Sequence, residues 1–367
     1  MPVSSLRRLR ARADVGWTVL AFFALQIAFV LTIDLWRPGW WDPENELRLQ
    51  LLSERTRERP EQPALVIVGS SRIVAGFLAA EVPTLRTADG RTALPFNYSH
   101  LQAGPRMNLM NVRRLLQEGF TPEWLVLEVV PACLVHERPP AEWAAARDVP
   151  ALCRHSAWTQ VLPVYSRIRL NPFYNHRQTV LAHLAPPLVT RADRSDDIRL
   201  LPLGDDDDWF RRGERTEEER TRLTAQSREV LFDRHQDFHM DPLQDGSICE
   251  TLDICRKHNI AVVLLLTPEN SEYRSWYSAE TERRLHAYLK QVQGRYGVPC
   301  VDARDWVGDE GFNDANHLRL KGARVFTERL SREVLQPLVA GSRVGPDVPI
   351  ANVSGRDAFI APAGTVR

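Results

Sequence analysis

Three residues in this chain could form a proton relay that makes a serine nucleophilic. Ser71 follows directly after the apolar run Ala64–Val68, and Asp314 and His317 lie three positions apart near the other end of the chain. A serine hydroxyl does not attack acyl groups unless a base accepts its proton, and a carboxylate beside an imidazole fixes the tautomer and stabilises the imidazolium that forms. The residue types and their spacing therefore predict a triad with Ser71 as nucleophile, His317 as base and Asp314 as acid.

An alternation of apolar and amphipathic segments supplies the elements that would hold these residues. Short apolar runs typical of buried strands occupy residues 64–68, 93–97, 124–130, 260–266 and 298–301. Amphipathic segments between them predict helices, so we expect a three-layer α/β fold with a five-stranded, mostly parallel sheet. Ser71 follows the first strand and His317 lies in the loop after the fifth, so both would reach the carboxyl edge of the sheet, where open α/β sheets bind ligands.

The first forty residues predict a membrane anchor. Val15 to Ile33 is an apolar run of 19 residues, which as a helix would be about 29 Å long, close to the thickness of a hydrocarbon core. Arginines precede the run and acidic residues follow it, so we expect a transmembrane helix over 15–35 with the N-terminus cytoplasmic and the C-terminal domain extracytoplasmic, facing a bacterial periplasm. A signal peptide and a buried soluble helix are the alternatives, which the length and flanks of the run disfavour.

The rest of the chain divides by composition. We expect a cytoplasmic tail over 1–14, a stalk over 36–62, an α/β domain over 63–338 and a flexible tail over 339–367. Between about 132 and 224 the strand–helix rhythm is lost, and this stretch is rich in proline, arginine and aromatic residues. Because a structureless loop of that size is uncommon in a compact domain, it predicts a long insertion with some helix that could act as a lid.

Composition argues against several classes of function. The formal charge is zero, and no basic cluster interleaved with aromatics follows the N-terminus, so no nucleic-acid partner is expected. The turn after the first strand fits neither G-x-G-x-x-G nor a P-loop, which disfavours nucleotide binding, and we expect no cofactor. Five scattered cysteines form neither a disulfide framework nor a zinc motif, although Cys133 and Cys153 could bridge in an exported domain.

Two polar clusters could be considered as metal sites. Asp205–Asp208 lacks the spacing of a calcium loop and is better explained as a solvated turn. The alternation of His235, Asp237, His239 and Asp241 could present ligands from a strand, but without a second group of ligands a polar loop is the simpler interpretation. We therefore predict no metal.

Three blocks of the sequence resemble the SGNH (GDSL-type) hydrolase superfamily. They are Gly69-Ser70-Ser71 before an apolar helix, Asn97-Tyr98-Ser99 with Gly104, and Asp314-Ala315-Asn316-His317. The resemblance covers about 64–338 and implies an SGNH, flavodoxin-like fold with its nucleophile, acid and base at Ser71, Asp314 and His317. The anchor, the Gly-Ser-Ser block in place of Gly-Asp-Ser and the insertion make the chain more similar to membrane-attached members, such as the alginate acetylation proteins and the D-alanine transfer protein of teichoic acids, which act on extracytoplasmic polymers.

The chain departs from that family in one block. Where the family has Gly-x-Asn-Asp after the third strand, this sequence has Glu128-Val129-Val130-Pro131, so the asparagine that would donate to the oxyanion is missing. Losing one such donor costs on the order of 100-fold or more in rate, so another group must replace it or activity is weak. Candidate replacements are the Ser71 N–H, an N–H near Ser99 or Gly104, the Asn97 amide, and Arg72, which could also hold an anionic substrate.

Two functions of different classes follow. The first is a membrane-anchored, extracytoplasmic serine esterase or O-acyltransferase that takes an acyl group, most simply acetyl, from a donor or an acyl-carrying membrane protein. Its acceptor would be a cell-surface or secreted polysaccharide, or water. The alternative, motivated by the missing asparagine and the aromatic-rich insertion, is a catalytically weak or inactive SGNH-fold protein that binds such a polymer as a scaffold. In both cases the expected partners are an extracytoplasmic glycan and the lipid bilayer, the latter through 15–35.

Overall fold

The computed structural model describes most of the chain. The described residues are 3–36, 38–137, 139–141, 143–175, 177, 180–181, 185–188, 200–206, 215–342 and 344. The predicted flexible tail therefore lies mainly outside them, as do Asp207 and Asp208 of the acidic run.

Six strands and fourteen helices carry the architecture of the described residues. The strands are β1 (Ala64–Val68), β2 (Leu85–Arg86), β3 (Thr92–Asn97), β4 (Trp124–Glu128), β5 (Ala261–Leu266) and β6 (Cys300–Asp302). The first eight helices are α1 (Val3–Trp36), α2 (Pro43–Glu58), α3 (Ser71–Gly76), α4 (Pro105–Gln117), α5 (Pro131–Val135), α6 (Val149–Arg154), α7 (Trp158–Leu170) and α8 (Pro172–Asn175). The others are α9 (Glu217–Gln236), α10 (Pro242–Lys257), α11 (Ser271–Arg274), α12 (Ala279–Tyr296), α13 (Leu320–Leu330) and α14 (Gln336–Val339).

The strands form one mixed sheet in the order β2-β3-β1-β4-β5-β6. Five strands are parallel, and β2 pairs with β3 in the antiparallel direction at the edge. The α/β class is confirmed. The sheet has six strands rather than the predicted five, because the edge strand β2 is too short to produce an apolar run. Among the parallel strands, β1 lies between β3 and β4. The chain passes from β1 to β3 on one side and then back to β4 on the other, and such a reversal of strand order opens a crevice at the carboxyl ends of the strands.

Two cores cover the two faces of the sheet. Alternate residues of β1 supply both, since Val66 and Val68 pack into one cluster and Leu65 and Ile67 into the other. The first cluster also takes apolar side chains of α2, α4, α10 and α12, and the second those of α3 and α13. This layering fixes β1 from both sides, so the residues that follow it are rigidly placed.

Helix α2 lies within the segment predicted as a stalk, and part of it packs into the first core. Its residues Leu49 and Leu52 are buried in the first core, and the buried Arg48 guanidinium donates to the carbonyl oxygens of Asn97 and Gly204, at 2.9 Å and 2.6 Å. The sequence alone does not reveal this packing, because a helix with seven charged residues among sixteen resembles a solvated one until the partner of its leucines is known.

The chain divides into two compact units. One comprises Met1–Glu46 with Pro140–Ile198, and the other comprises Leu47–Pro139 with Arg199–Arg367. The second holds the sheet, and the predicted insertion at about 132–224 overlaps both units. Pro140–Ile198 of that stretch clusters with the N-terminal helix.

Helix α1 contains a segment long and apolar enough to cross a membrane. The segment Arg10–Trp36 spans 27 residues and contains an 18-residue window with a mean hydropathy of 2.1, of which 11% is buried. Its carboxyl end is the exception, because Ile33 and Trp41 form a small core with Ala145 and Ile168 of the same unit. Asp34 there receives hydrogen bonds from the Trp41 indole, at 2.9 Å, and from the Arg169 guanidinium.

The polar clusters considered as metal sites have structural partners in the described residues. Asp205 is buried and accepts the N–H groups of Ala79 and Ala80, at 2.9 Å and 3.0 Å, rather than lying in a solvated turn. His235 ends helix α9 instead of a strand, and Asp241 caps α10 by accepting the Leu243 N–H. All five cysteines are free thiols, so the considered bridge between Cys133 and Cys153 is absent.

Candidate active site

The turn between β1 and α3 places two serines at the carboxyl edge of the sheet. Ser70 has extended backbone angles and caps α3, its hydroxyl accepting the Arg72 N–H at 3.2 Å. Ser71 is the first residue of that helix. A serine at this position has its hydroxyl outside the helix and its own N–H among those that an α-helix leaves without an internal acceptor.

A buried carboxylate from the neighbouring strand holds this turn. Glu128, the last residue of β4, accepts the Ser70 N–H with one oxygen and the Thr267 hydroxyl, at 2.7 Å, with the other. Thr267 directly follows β5, so one side chain ties together three strand ends. Glu128 thus acts as a support for the serine turn.

Gly69 is required at this turn by close packing. A Cβ atom there would lie 2.6 Å from Glu128 Oε2 and 2.7 Å from Ile73 Cγ1, distances that real Cβ atoms do not show. The absence of a side chain therefore lets the carboxylate approach the serine turn.

Gly69→Ala is expected to destabilise the fold by about 1–3 kcal/mol, the usual cost of overpacking. Because the clash displaces Glu128, it should also lower the activity of any Ser71-dependent reaction at temperatures where the protein stays folded. Urea unfolding of the detergent-solubilised chain and an ester-hydrolysis assay measure the two effects. Gly294→Ala is the control for added bulk, since a Cβ atom on this residue of α12 would meet nothing within 4 Å and its φ is not positive. A Gly69→Ala protein with unchanged stability and activity would contradict the packing argument.

The side chains of Ser71, His317 and Asp314 form a continuous hydrogen-bonded chain. Ser71 Oγ lies 2.8 Å from His317 Nε2, and His317 Nδ1 lies 2.8 Å and 3.1 Å from the two Asp314 oxygens. The imidazole is 21% exposed, so a substrate can reach it, whereas the carboxylate is 11% exposed. This order of contacts is that of a nucleophile, a base and an orienting acid.

The loop that carries the acid and base is held on the edge of the sheet by β5. The N–H of Asn270, four residues after that strand, donates to the Ala315 carbonyl at 3.2 Å, and its side-chain amide donates to the Asp314 carbonyl at 3.5 Å. Within the loop the N–H of Asn313 donates to the His317 carbonyl at 2.8 Å. The loop after β5 and the loop of Asp314 and His317 are therefore joined by a backbone bond as well as by a side chain.

The electrostatics of Asp314 suit the role of an ionised acid. Burial alone would raise its pKa, but the His317 imidazole and the N–H groups of Asn316 and His317, at 2.9 Å and 2.8 Å, hold the pKa below its usual value. The carboxylate stays charged near neutral pH and can stabilise an imidazolium.

Three of the proposed oxyanion donors already have acceptors. The Asn97 amide donates to the Phe77 carbonyl at 3.2 Å, and its oxygen accepts the Ser99 N–H at 3.2 Å. The Gly104 N–H donates to Glu137 at 3.1 Å. The Ser71 N–H has no acceptor among the described residues, so it is the available donor at this edge.

Arg72 is directed into the protein rather than towards a substrate. Its guanidinium is buried, bonds to Glu269 Oε1 at 2.9 Å and lies 4.8 Å from the centroid of the Tyr273 ring. Glu269 also accepts the Tyr277 hydroxyl at 2.8 Å. The expectation that Arg72 holds an anionic substrate is therefore not met, and the residue acts as a buried support behind Ser71.

Glu137 is a buried carboxylate beside the second sequence block. It accepts the N–H groups of Gly104, Arg106 and Met107 at the start of α4. Burial raises its pKa to about 7, although these bonds and the Arg106 side chain, at 4.0 Å, oppose the rise. Sequence reasoning missed this residue, because nothing local marks a carboxylate that caps a helix 31 positions away.

This carboxyl group predicts a pH dependence of stability. Since its pKa in the folded protein is above that of an exposed glutamate, the folded state binds more protons between about pH 4.5 and 7, and stability should fall as pH rises through that range. The slope from this group is at most about 1.4 kcal/mol per pH unit. Asp205, with its pKa raised by burial to about 6, adds to the slope. Glu137→Gln should flatten the pH profile of urea unfolding, and an unchanged slope would contradict the assignment.

Comparisons with known proteins give weak matches. A family model that bears no functional description matches residues 173–339, less than half of the chain. No curated protein matches. Among solved structures, a crystal structure described provisionally as an acylhydrolase from Bacteroides fragilis NCTC 9343 shares 12% identity, with a TM-score of 0.34 over 76% of this chain and 91% of that one. At that level the likeness carries no argument, and the function has to be argued from the site.

Proposed function

We propose that this chain is a membrane-anchored serine esterase or O-acyltransferase with its α/β unit outside the cytoplasm. The observation that carries the proposal is the hydrogen-bonded chain from the Ser71 hydroxyl through His317 to Asp314. An α/β sheet with a triad at its carboxyl edge supports an SGNH-type hydrolase more than a binding domain, since a merely structural serine needs no imidazole. Helix α1 supports the anchor by its length and its exposed apolar surface.

The geometry accounts for each step of an acyl transfer. Ser71 Oγ attacks the acyl carbonyl carbon while His317 Nε2 takes its proton, and the Ser71 N–H faces the oxyanion that forms. When the tetrahedral intermediate collapses, the bond to the donor oxygen breaks and that oxygen receives the proton from His317. An acceptor hydroxyl then gives its proton to His317 and attacks the acyl carbon. The bond from that carbon to Ser71 Oγ breaks, and Oγ receives the proton back from His317, which restores the serine. The acceptor is a polysaccharide hydroxyl in a transferase and water in an esterase.

A serine-directed fluorophosphonate tests the proposal on the detergent-solubilised full-length chain. We expect labelling of the wild type at Ser71, no labelling of Ser71→Ala, and labelling of Ser70→Ala, since the Ser70 hydroxyl caps the helix and its loss costs only about 1 kcal/mol of stability. Turnover of an activated acetyl ester should follow the same order. Labelling that survives in Ser71→Ala, or a folded wild type without any Ser71-dependent reaction, would refute it.

The second candidate is a polymer-binding scaffold with the same fold. It is favoured by one observation, the engagement of the Asn97 amide and the Gly104 N–H with other acceptors, which leaves few donors for an oxyanion. Glycan binding that is equal in the wild type and in Ser71→Ala with His317→Ala, without turnover by either, would support the scaffold over the enzyme.

A further inference from the structure

An exposed apolar surface lies on the two helices that pack against the end of α1. Four exposed residues of α7 and α8 define it: Trp158, Leu162, Leu170 and Tyr174. Trp158 and Leu162 are 58% and 54% exposed and, four positions apart, share one face of α7. The opposite exposed face of that helix carries Gln160 and Arg167. Exposed apolar side chains grouped in this way usually mark a surface that is covered in the working protein.

The contacts of α7 and α8 with α1 indicate how deep this surface would lie in a bilayer that α1 crosses. Phe29 stacks on Phe173 of α8, with ring centroids 4.1 Å apart, and Asp34 pairs with Arg169 near the end of α7. Phe29 lies six residues inside the predicted end of the span at residue 35, which is about 9 Å along a helix axis. Since half of a hydrocarbon core is about 15 Å thick, a helix that touches Phe29 lies within the outer part of a bilayer that α1 crosses.

The sides of α1 differ in a way that agrees with this placement. Ile33 is 1% exposed and the polar Gln26 is 6% exposed, and both lie on the face shared with Phe29. Ile27 and Leu31 on the other faces are more than half exposed. Protein thus covers the face of α1 that carries the polar Gln26, whereas the faces with Ile27 and Leu31 remain exposed and are available to lipid.

We propose that α7 and α8 are an interfacial membrane element, whose apolar surface is buried among the lipid headgroups and outer acyl chains beside α1. The inference rests on the proposed anchoring by α1. Tryptophan and tyrosine are the residues enriched at that level of a bilayer. The exposed Arg177, whose guanidinium lies 4.2 Å from the Tyr174 ring centroid, supplies a charge for lipid phosphates. The chain then holds its membrane by a spanning helix and by a segment that lies in the interface.

Nitroxide labels on the full-length chain test this surface. The chain is reconstituted in vesicles of phosphatidylcholine and phosphatidylglycerol, with Cys133 and Cys153 replaced by serine. Single cysteines are introduced by Leu162→Cys or Tyr174→Cys, with Gln160→Cys as the matched control on the opposite face and Leu20→Cys as the reporter of the span. Oxygen, which concentrates in lipid, and a water-soluble nickel chelate serve as collision partners.

We expect a high oxygen-to-nickel collision ratio for the labels at 162 and 174 and a low one at 160. A label at 162 that collides with nickel as readily as the label at 160 would overturn the proposal. Protection of the label at 162 from both collision partners would also overturn it, because a protein partner or a second copy then covers the surface. A low ratio at 20 would instead refute the anchoring itself, so the two failures can be told apart.

Discussion

Asp314→Asn is expected to lower kcat/KM for an activated acetyl ester on the order of 10⁴-fold, as loss of the acid does in other triads. The loop geometry explains why so small a change should matter. Asp314 Oδ1 accepts the N–H groups of Asn316 and His317, and an asparagine oxygen would keep those bonds. Its amide nitrogen would then face His317 Nδ1, so the imidazole proton would move to Nε2. In that tautomer His317 donates to Ser71 and cannot accept its proton.

Asp309→Asn is a matched control for this experiment. Asp309 precedes the same loop, is exposed, and accepts the Ser271 N–H at 2.7 Å without contacting the triad. The same substitution there should leave kcat/KM within about twofold of the wild type, as expected for surface changes. Initial rates with the detergent-solubilised chain measure both variants, and circular dichroism checks that each is folded. If Asp314→Asn retained a tenth or more of the wild-type rate, Asp314 would not be the orienting acid.

The sequence was informative where local pattern decides structure. The five apolar runs coincide with β1, β3, β4, β5 and β6 to within a few residues, because a strand buried on both faces must be apolar throughout. The strand ends then restrict where polar residues can meet, so the topology alone placed Ser71 and His317 on one edge. Their catalytic role remains a prediction, which the hydrogen bond between them supports and which the labelling and rate experiments test.

The residues that the sequence did not reveal are those whose partners are remote. Glu128 accepts from Ser70, 58 positions away, and Glu269 bonds to Arg72, 197 positions away. A buried carboxylate at a strand end produces no periodic pattern, and its neighbours are known only when the strands are aligned. The same holds for the packing of α7 and α8 against α1, since amphipathic helices do not specify their partner from sequence alone.

Glu269→Leu is expected to destabilise the protein by about 3–5 kcal/mol, the cost of leaving one partner of a buried ion pair without the other. Arg72 and Glu269 are 4% and 0% exposed, so water cannot replace the lost carboxylate. A loss of that size is a large part of the 5–15 kcal/mol that stabilises a typical domain. Since Arg72 is adjacent to Ser71, the variant should also disorder the serine turn before the rest of the sheet unfolds.

A double-mutant cycle separates the missing charge pair from the missing packing. Arg72→Met with Glu269→Leu removes both charges, and its stability should recover most of the loss seen for Glu269→Leu alone. The ion pair of Glu81 and Arg324 is exposed, so Glu81→Leu is the matched control at the surface. This variant should lower the free energy of unfolding by less than about 1 kcal/mol. The cycle also needs Arg72→Met alone, and urea unfolding followed by circular dichroism gives the stabilities of the wild type, the two single variants, the double variant and Glu81→Leu. If Glu269→Leu cost no more than Glu81→Leu, the buried pair would not be what fixes the support behind the nucleophile.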